Sequence, residues 1–476
     1  NIISNTFVTP NVAGGLTYSG IESYLARGNY NYSGKYYFGA SIRRDALSSL
    51  PKANRIGYFP SASFAWRISE EGFLKNTEAL SFISDLKLRG SIAEVGNTSI
   101  GSFPYLGTYG AAAYGNQSGI AFNNTGNPEL KWESQKSYDI GVDVGLLNNK
   151  LSLVMAYWKK DNKDAILSAP TPPSIGIPGN SISRNIGSIT NNGLEFAVNA
   201  DLFSERAVKW TTSLNFSTQN NKVLGLVDNQ DIATEYNLTR VGESIRTLYG
   251  YQYRGVNAAN GNPLYEKADG TVIQGNIANS TYYLYDAANP GTLGAQSSLV
   301  GADRRILGNS LPKWFGGFNN TITYSDFDLS VFFRFQGGNY IMNRTRQDLL
   351  NMNFVNNGTE VLGRWQSVDN PGDGQTPKLY AARGAFINLE NAASTRFVEK
   401  GDFLRLDNVA LGYRIPANVA TRLGISKLRV YASAQNLFVV TKYSGLDPET
   451  NTSGAGVDYN GNPQLRTFTF GLNLGF

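Results

Sequence analysis

The stretch Arg466–Phe476, RTFTFGLNLGF, decides how this chain is read. Phe468, Phe470, Leu472, Leu474 and Phe476 alternate along it with Thr467, Thr469, Gly471, Asn473 and Gly475. A β-strand sends successive side chains to opposite faces, so the segment is a strand with one apolar face and one face of small or polar residues. The pattern recurs upstream. Leu194, Phe196, Val198, Ala200 and Leu202 oppose Gly193, Glu195, Ala197, Asn199 and Asp201. Tyr138, Ile140, Val142, Val144 and Leu146 oppose Asp139, Gly141, Asp143 and Gly145. Phe327, Leu329, Val331, Phe333 and Phe335 face away from Asp328, Ser330, Arg334 and Gln336, with Phe332 out of pattern on the polar side.

A β-sandwich also alternates, but over shorter strands with turns every ~8–12 residues. Several segments here exceed the ~9–11 residues that cross a bilayer as a tilted strand. The spacing predicts about fourteen strands. They fall near 17–33, 35–46, 57–69, 84–95, 130–147, 150–167, 184–203, 208–225, 245–257, 311–325, 327–342, 403–415, 427–442 and 465–476. Connections alternate in length. Asn148-Asn149-Lys150 and Ser204-Glu205-Arg206 are tight turns, whereas 97–129, 168–182, 227–244, 343–402 and 444–464 are long and polar. Short turns at one end and long loops at the other is the layout of an outer-membrane barrel. Within 258–305, Asp269-Gly270 marks a hairpin between Pro263–Lys267 and Thr271–Gln274, expected in an extracellular excursion. The fold class is therefore all-β, an antiparallel transmembrane β-barrel spanning 1–476.

Composition agrees. Hydrophobic residues make up 41% of the 476, yet no run approaches the ~18 apolar residues of a helical span. Aromatics reach 12%, with 27 Tyr and 25 Phe, which suits girdles at two membrane interfaces. The net charge of +5 comes from dispersed Lys and Arg with no basic run, so no nucleic-acid partner is expected. The chain has no Cys and no His, which excludes disulfides, thiolate catalysis, Cys-based zinc sites and histidine general bases. Asn1–Pro10 lacks the basic start and apolar core of an export signal, so the chain is expected to begin inside a longer precursor.

Phrases along nearly the whole chain carry a family resemblance. They are Arg27–Tyr32 (RGNYNY), Lys35–Asp45 (KYYFGASIRRD), Gly57–Trp66 (GYFPSASFAW), Asn127–Glu133 (NPELKWE), Asn185–Phe196 (NIGSITNNGLEF), Leu311–Phe315 (LPKWF), Gly401–Tyr413 (GDFLRLDNVALGY), Leu428–Leu437 (LRVYASAQNL) and Arg466–Phe476. In order and spacing the set resembles the SusC-like TonB-dependent outer-membrane transporters. The resemblance implies a bacterial outer-membrane barrel of about 22 strands, of which this chain holds roughly the last two-thirds. It also implies a preceding plug domain and TonB-contacting segment, neither of which this chain shows. A SusD-like surface lipoprotein, TonB acting through the N-terminal region, the outer-membrane assembly machinery and membrane lipid are the implied partners. Active import of a glycan or peptide is the implied function. Two alternatives stay open: a structural barrel subunit of a larger outer-membrane machine, and a passive porin of about fourteen strands closed on itself.

Candidate chemistry is sparse. Glu70 with Glu71, Asp139 with Asp143, and Glu195 with Asp201 are the carboxylate pairs that acid–base catalysis would need. Each reads more simply as a turn or lumen charge, and no catalytic residue is assigned. Lys267–Thr271 offers too few oxygens for calcium, which takes about 6–8. Gly316-Gly317 and Gly337-Gly338 lack the strand–loop–helix setting of a phosphate cradle. No cofactor and no metal is expected, and the chain is not read as an enzyme. The candidate binding residues are loop aromatics: Phe103, Tyr105, Tyr109, Tyr114, Tyr282, Tyr283 and Tyr285. Flat rings stack on sugars or pack against peptides, although packing of loop on loop or against a lid explains them as well. Phe468, Phe470 and Phe476 form a candidate C-terminal signal for the assembly machinery, an expectation that follows from the barrel resemblance.

Overall fold

The computed structural model describes residues 16–476 apart from 98, 113–114, 116, 118, 204–206, 353–355, 381–383, 390 and 450–454. Its main element is a fourteen-stranded antiparallel sheet, the wall. Thirteen strands follow one another in chain order: Ile21–Tyr32, Tyr36–Leu47, Ile56–Arg67, Ile83–Gly96, Ser134–Leu146, Leu151–Pro170, Ser181–Phe203, Val208–Thr218, Trp314–Tyr324, Phe327–Gly337, Phe403–Arg414, Lys427–Thr441 and Thr467–Gly475. The fourteenth, Asn220–Gly225, pairs beside this path with Ser181–Phe203. Among the described residues no helix is long and apolar enough to cross a membrane, and a barrel crosses with strands instead.

Register turns the alternation into continuous belts. Phe468 sits opposite Ala434, Phe470 opposite Ala432 and Leu472 opposite Val430. One row runs Leu329–Ile322 and Leu329–Leu411. Another runs Leu153–Val198–Leu214–Phe318–Phe333–Leu406–Phe438 across seven strands. A third runs Phe64–Phe38–Tyr30. These side chains share one face and, Leu406 and Ala434 apart, stay solvent-accessible there, as lipid-facing residues of a barrel must. The opposite face carries Ser152–Asn199–Ser213–Asn319 and the charged rows described below. Phe332 lies on this polar face, and the reason is packing. A Cβ at Gly317 on the neighbouring strand would come 2.8 Å from the Phe332 ring, so the glycine makes room for it.

The two ends of the wall differ as the spacing predicts. Residues 33–35, 147–150 and 325–326 connect strands tightly, while 97–133, 219–313, 338–402 and 442–466 form long excursions at the other end. Leu147, Asn148 and Asn149 all take left-handed backbone angles, as a sharp turn demands. The predicted turn at Ser204-Glu205-Arg206 lies outside the described residues. By the outer-membrane layout, the tight turns are periplasmic and the excursions extracellular. Leu151–Pro170 and Ser181–Phe203 have 20 and 23 residues. At ~3.3 Å per residue they outrun any bilayer, so their upper halves stand clear of it. There Ala165, Ile189, Val223 and Leu226 bury one another.

Two boundaries need correction. The predicted strand 208–225 is interrupted after Thr218, and its second half docks on the protruding hairpin. The predicted strand 245–257 exists as Thr247–Val256 but lies outside the wall. It is the hub of a nine-stranded extracellular sheet, pairing with Asn237–Thr239, Pro263–Glu266, Arg305–Gly308 and, in parallel, Ala393–Ser394. All its residues but Arg254 are buried or half-buried, so length and apolarity matched a wall strand although its partners do not. The Asp269-Gly270 hairpin is present in this sheet, with Gly270 at φ 85°. A three-stranded sheet joins Tyr340–Asn343 to Val398–Lys400 and Val457–Asp458. Leu248, Met342, Leu350, Ala393, Phe397 and Val457 pack as one cluster shared by both sheets and weld three excursions into a single roof.

The register is checked by paired substitutions. Val198→Arg places a charge mid-belt and is expected to cost roughly 2–4 kcal/mol, whereas Asn199→Arg on the lumen face is tolerated. Denaturant unfolding in lipid vesicles measures both, and equal costs at the two positions would refute the assignment of faces.

Candidate functional site

The lumen face is a surface of compensated charge. Arg89 reaches across to Asp139 and donates to Asp143 at 3.2 Å, and Lys87 lies 3.7 Å from Asp143. Asp328 takes both donors of Arg429, at 2.9 and 2.5 Å. Arg67 donates to Asp85 at 2.7 Å. Asp139 and Asp143 are thus held by one guanidinium, which accounts for their spacing without acid–base chemistry. Among the described residues these pairs set opposite charges side by side along the polar face.

A denser network sits where the wall meets the roof. Arg405 is 3% exposed and donates to Asp447 at 2.6 Å and to Glu449 at 2.8 Å. Arg334, on the adjacent strand, donates to Glu449 at 2.5 Å and to Asp407 at 3.2 Å. Two wall arginines therefore pin the excursion 442–466 down onto the lumen side of the sheet. Burial pushes the Glu449 carboxyl upward, and the neighbouring guanidinium groups of Arg334 and Arg405 oppose that push. The opposite, short-turn end has its own clasp. Glu71 accepts from the Tyr36 hydroxyl at 2.6 Å, from Lys35 at 2.9 Å and from the Trp66 indole at 3.1 Å. These donors, Tyr36 first, hold its carboxyl down at about 2.

The candidate aromatics are not brought together. Phe103 and Tyr105 meet edge to face at 6.3 Å, and Tyr105 packs on the cluster of Leu47, Leu50, Phe59, Leu130 and Trp132. Tyr109 is exposed on the hairpin formed by Thr108–Ala111 and Ile120–Asn124, with Phe122 edge-on at 5.3 Å. Tyr282 packs against Phe386, 4.7 Å between ring centres, and against Tyr265 within the roof. Tyr283 accepts from Asn279, and Tyr285 continues the same segment. No ring contact joins the 103–109 group to the 282–285 group among the described residues. Tyr114 lies outside the described residues. Phe468, Phe470 and Phe476 are 62, 82 and 95% exposed at one edge of the wall, where Thr467–Gly475 has a single partner strand among the described residues. The Asp269 carboxylate accepts from the Thr271 amide at 2.9 Å and shapes the hairpin turn.

Sequence reading passed over Arg334, Arg405, Asp447 and Glu449. Arg405 and Asp407 lie inside the phrase GDFLRLDNVALGY, where an arginine in an otherwise apolar run was the available signal. Its acidic partners lie 42 and 44 residues further along, beyond any local pattern.

This geometry, an antiparallel wall with a polar inner face and a folded extracellular roof, defines an outer-membrane barrel. Residues 4–437 match the family model described as TonB dependent receptor-like, beta-barrel, and the chain belongs to that family. TonB-dependent receptor P3 of Formosa agariphila is 31% identical over 96% of this chain and 45% of the relative. TonB-dependent receptor SusC of Bacteroides thetaiotaomicron is 29% identical over 96% of this chain and 44% of SusC. The structure of the RagAB peptide transporter superposes with a TM-score of 0.79 at 25% identity, covering 96% of this chain and 47% of that one. The chain thus spans about half the length of the curated relatives it matches. It carries the barrel of the TonB-dependent receptor family and is similar to SusC along nearly its whole length, as the phrases in its sequence suggest.

Two outcomes check the site. Arg405→Ala removes the buried cation that Asp447 and Glu449 share, with Arg334 still holding Glu449, and should cost about 3–5 kcal/mol, with faster hydrogen exchange confined to 442–466. Exchange unchanged in that segment would show the network to be dispensable. The Glu71 clasp gives a pH signature. Its folded value lies below the ordinary 4.5, so its contribution is complete above pH 4.5 and fades as pH falls toward about 2. Glu71→Gln should melt below the parent at neutral pH, and the gap should close over that window.

Proposed function

We propose that this chain forms the greater part of the wall, and the extracellular roof, of an active importer for oligomeric nutrients, peptides foremost. The observation that carries the reading is the match to a peptide transporter over 96% of the chain, roof included. Paired charges on the lumen face support it, because a wall that carries both signs side by side suits mixed cargo. In this reading the remaining half of the full protein supplies the plug and the TonB-contacting segment. Cargo is captured between the roof and a SusD-like surface lipoprotein, then released inward when TonB disturbs the plug. The chain performs no covalent step.

The lid contact is assigned to the exposed part of 97–129. The other expected docking segment, 343–402, contributes Leu350, Ala393 and Phe397 to the roof cluster, so its core is committed to packing. The hairpin 108–124 instead projects Tyr109 at 68% and Ile120 at 80% exposure. Its ends are adjacent, since Thr108 pairs with Asn124, and it can be removed without stretching the chain. Deleting 108–124 from the full-length protein should cut recovery of a co-purifying lipoprotein several-fold while barrel yield holds. Purification of the intact protein without any lipoprotein would sink the reading.

A further inference from the structure

We propose that a cleft in the extracellular roof is a recognition subsite for a cationic side chain, ammonium or guanidinium, carried on an apolar stem. The inference rests on the import reading and names one chemical feature of the cargo. The cleft has a volume of about 440 Å³ and lies where the excursions 338–402 and 442–466 meet. Leu349, Leu350 and Leu446 supply apolar lining, while Asp458, Arg346 and Glu360 supply charge.

Asp458 is the deciding residue. It is 3% exposed, held by the parallel pairing of Val457–Asp458 with Met342–Asn343. Its Oδ2 accepts the Tyr443 hydroxyl at 2.6 Å. Its Oδ1 has no donor among the described residues. A buried carboxylate oxygen without a donor is costly, so the fold retains here an acceptor that some other group must satisfy. The nearby cation cannot serve. Arg346 donates to both oxygens of Glu360, at 2.6 and 2.9 Å, and to Glu399 at 3.3 Å. The lining therefore carries two carboxylates against one guanidinium that is already shared with a third. A neutral hydroxyl would fill the hydrogen bond but leave the charge uncompensated, and a cation does both. The leucines fit the rest of such a ligand. Leu349 and Leu446 remain 43 and 72% exposed, and an alkyl stem of the lysine or arginine kind covers apolar surface while its head finds a carboxylate.

The experiment uses detergent-solubilised full-length protein with its native partners, in buffer containing EDTA. The probes are N-acetyl-Ala-Lys-Ala-amide and N-acetyl-Ala-norleucine-Ala-amide, which share a stem and differ in the ammonium. Calorimetry should show the lysine peptide bound about tenfold more tightly, the gap expected of one charge-assisted hydrogen bond. Asp458→Asn should erase the preference. Leu446→Lys, on the exposed rim and safe for folding, should reverse it by repulsion. Equal binding of the two peptides to the parent protein overturns the subsite and leaves the import reading intact. A preference that survives both substitutions also overturns it. Failure of both peptides to bind the parent protein overturns the subsite and the peptide reading together.

Discussion

Everything in this molecule depends on one constraint: inside a hydrocarbon layer, a peptide group has no water to bond. Each unsatisfied N–H or C=O costs several kcal/mol there, so strands must pair laterally without interruption. The wall meets this demand by the simplest route, a meander in which each strand hydrogen-bonds to its sequence neighbour. The demand also explains the two outer strands. Ile21–Tyr32 and Thr467–Gly475 each have a single partner among the described residues, and about half of each matched relative lies outside the aligned region. In a membrane those edges need further strands or each other.

With pairing settled by the backbone, the side chains are free to divide by solvent. The apolar belt needs only size and greasiness, which is why Leu153, Val198, Leu214 and Phe318 can differ while occupying one row. The inner face has a different task. Pairing such as Arg89 with Asp139 and Asp143 lets it carry charges of both signs side by side. The same chemistry becomes structural at the rim, where Arg405 is deeply buried and holds the excursion bearing Asp447 and Glu449.

The wall was legible because its signal is local. Alternation at Leu194–Leu202 or Thr467–Phe476 is complete within ten residues and needs no knowledge of partners. The roof was not, because its signal is not periodic. Thr247–Val256 has the length and apolarity of a wall strand, and only its partners at Ala393 and Arg305 reveal another sheet. The aromatic candidates failed to converge for a related reason. A tyrosine in a loop reads the same whether it is exposed like Tyr109 or packed inside like Tyr282. Buried ion pairs such as Arg405 with Glu449 join positions too far apart for spacing rules to connect them.

The roof's welding has a consequence for the order of assembly. The Asn237 side chain donates to the carbonyl of Ala455, a link spanning 218 positions, and Val457–Asp458 completes a sheet begun at Tyr340. Contacts of such long range form late, because the entropy of closing large loops has to be overcome first. The excursions must also reach the outer side before they can meet. The wall can therefore be laid down strand by strand from local pairings, while the roof stays unstitched until its last contributor, 442–466, has crossed. Newly inserted barrels would pass through a stage with a finished wall and an open mouth, and maturation would end with closure of the roof rather than of the sheet.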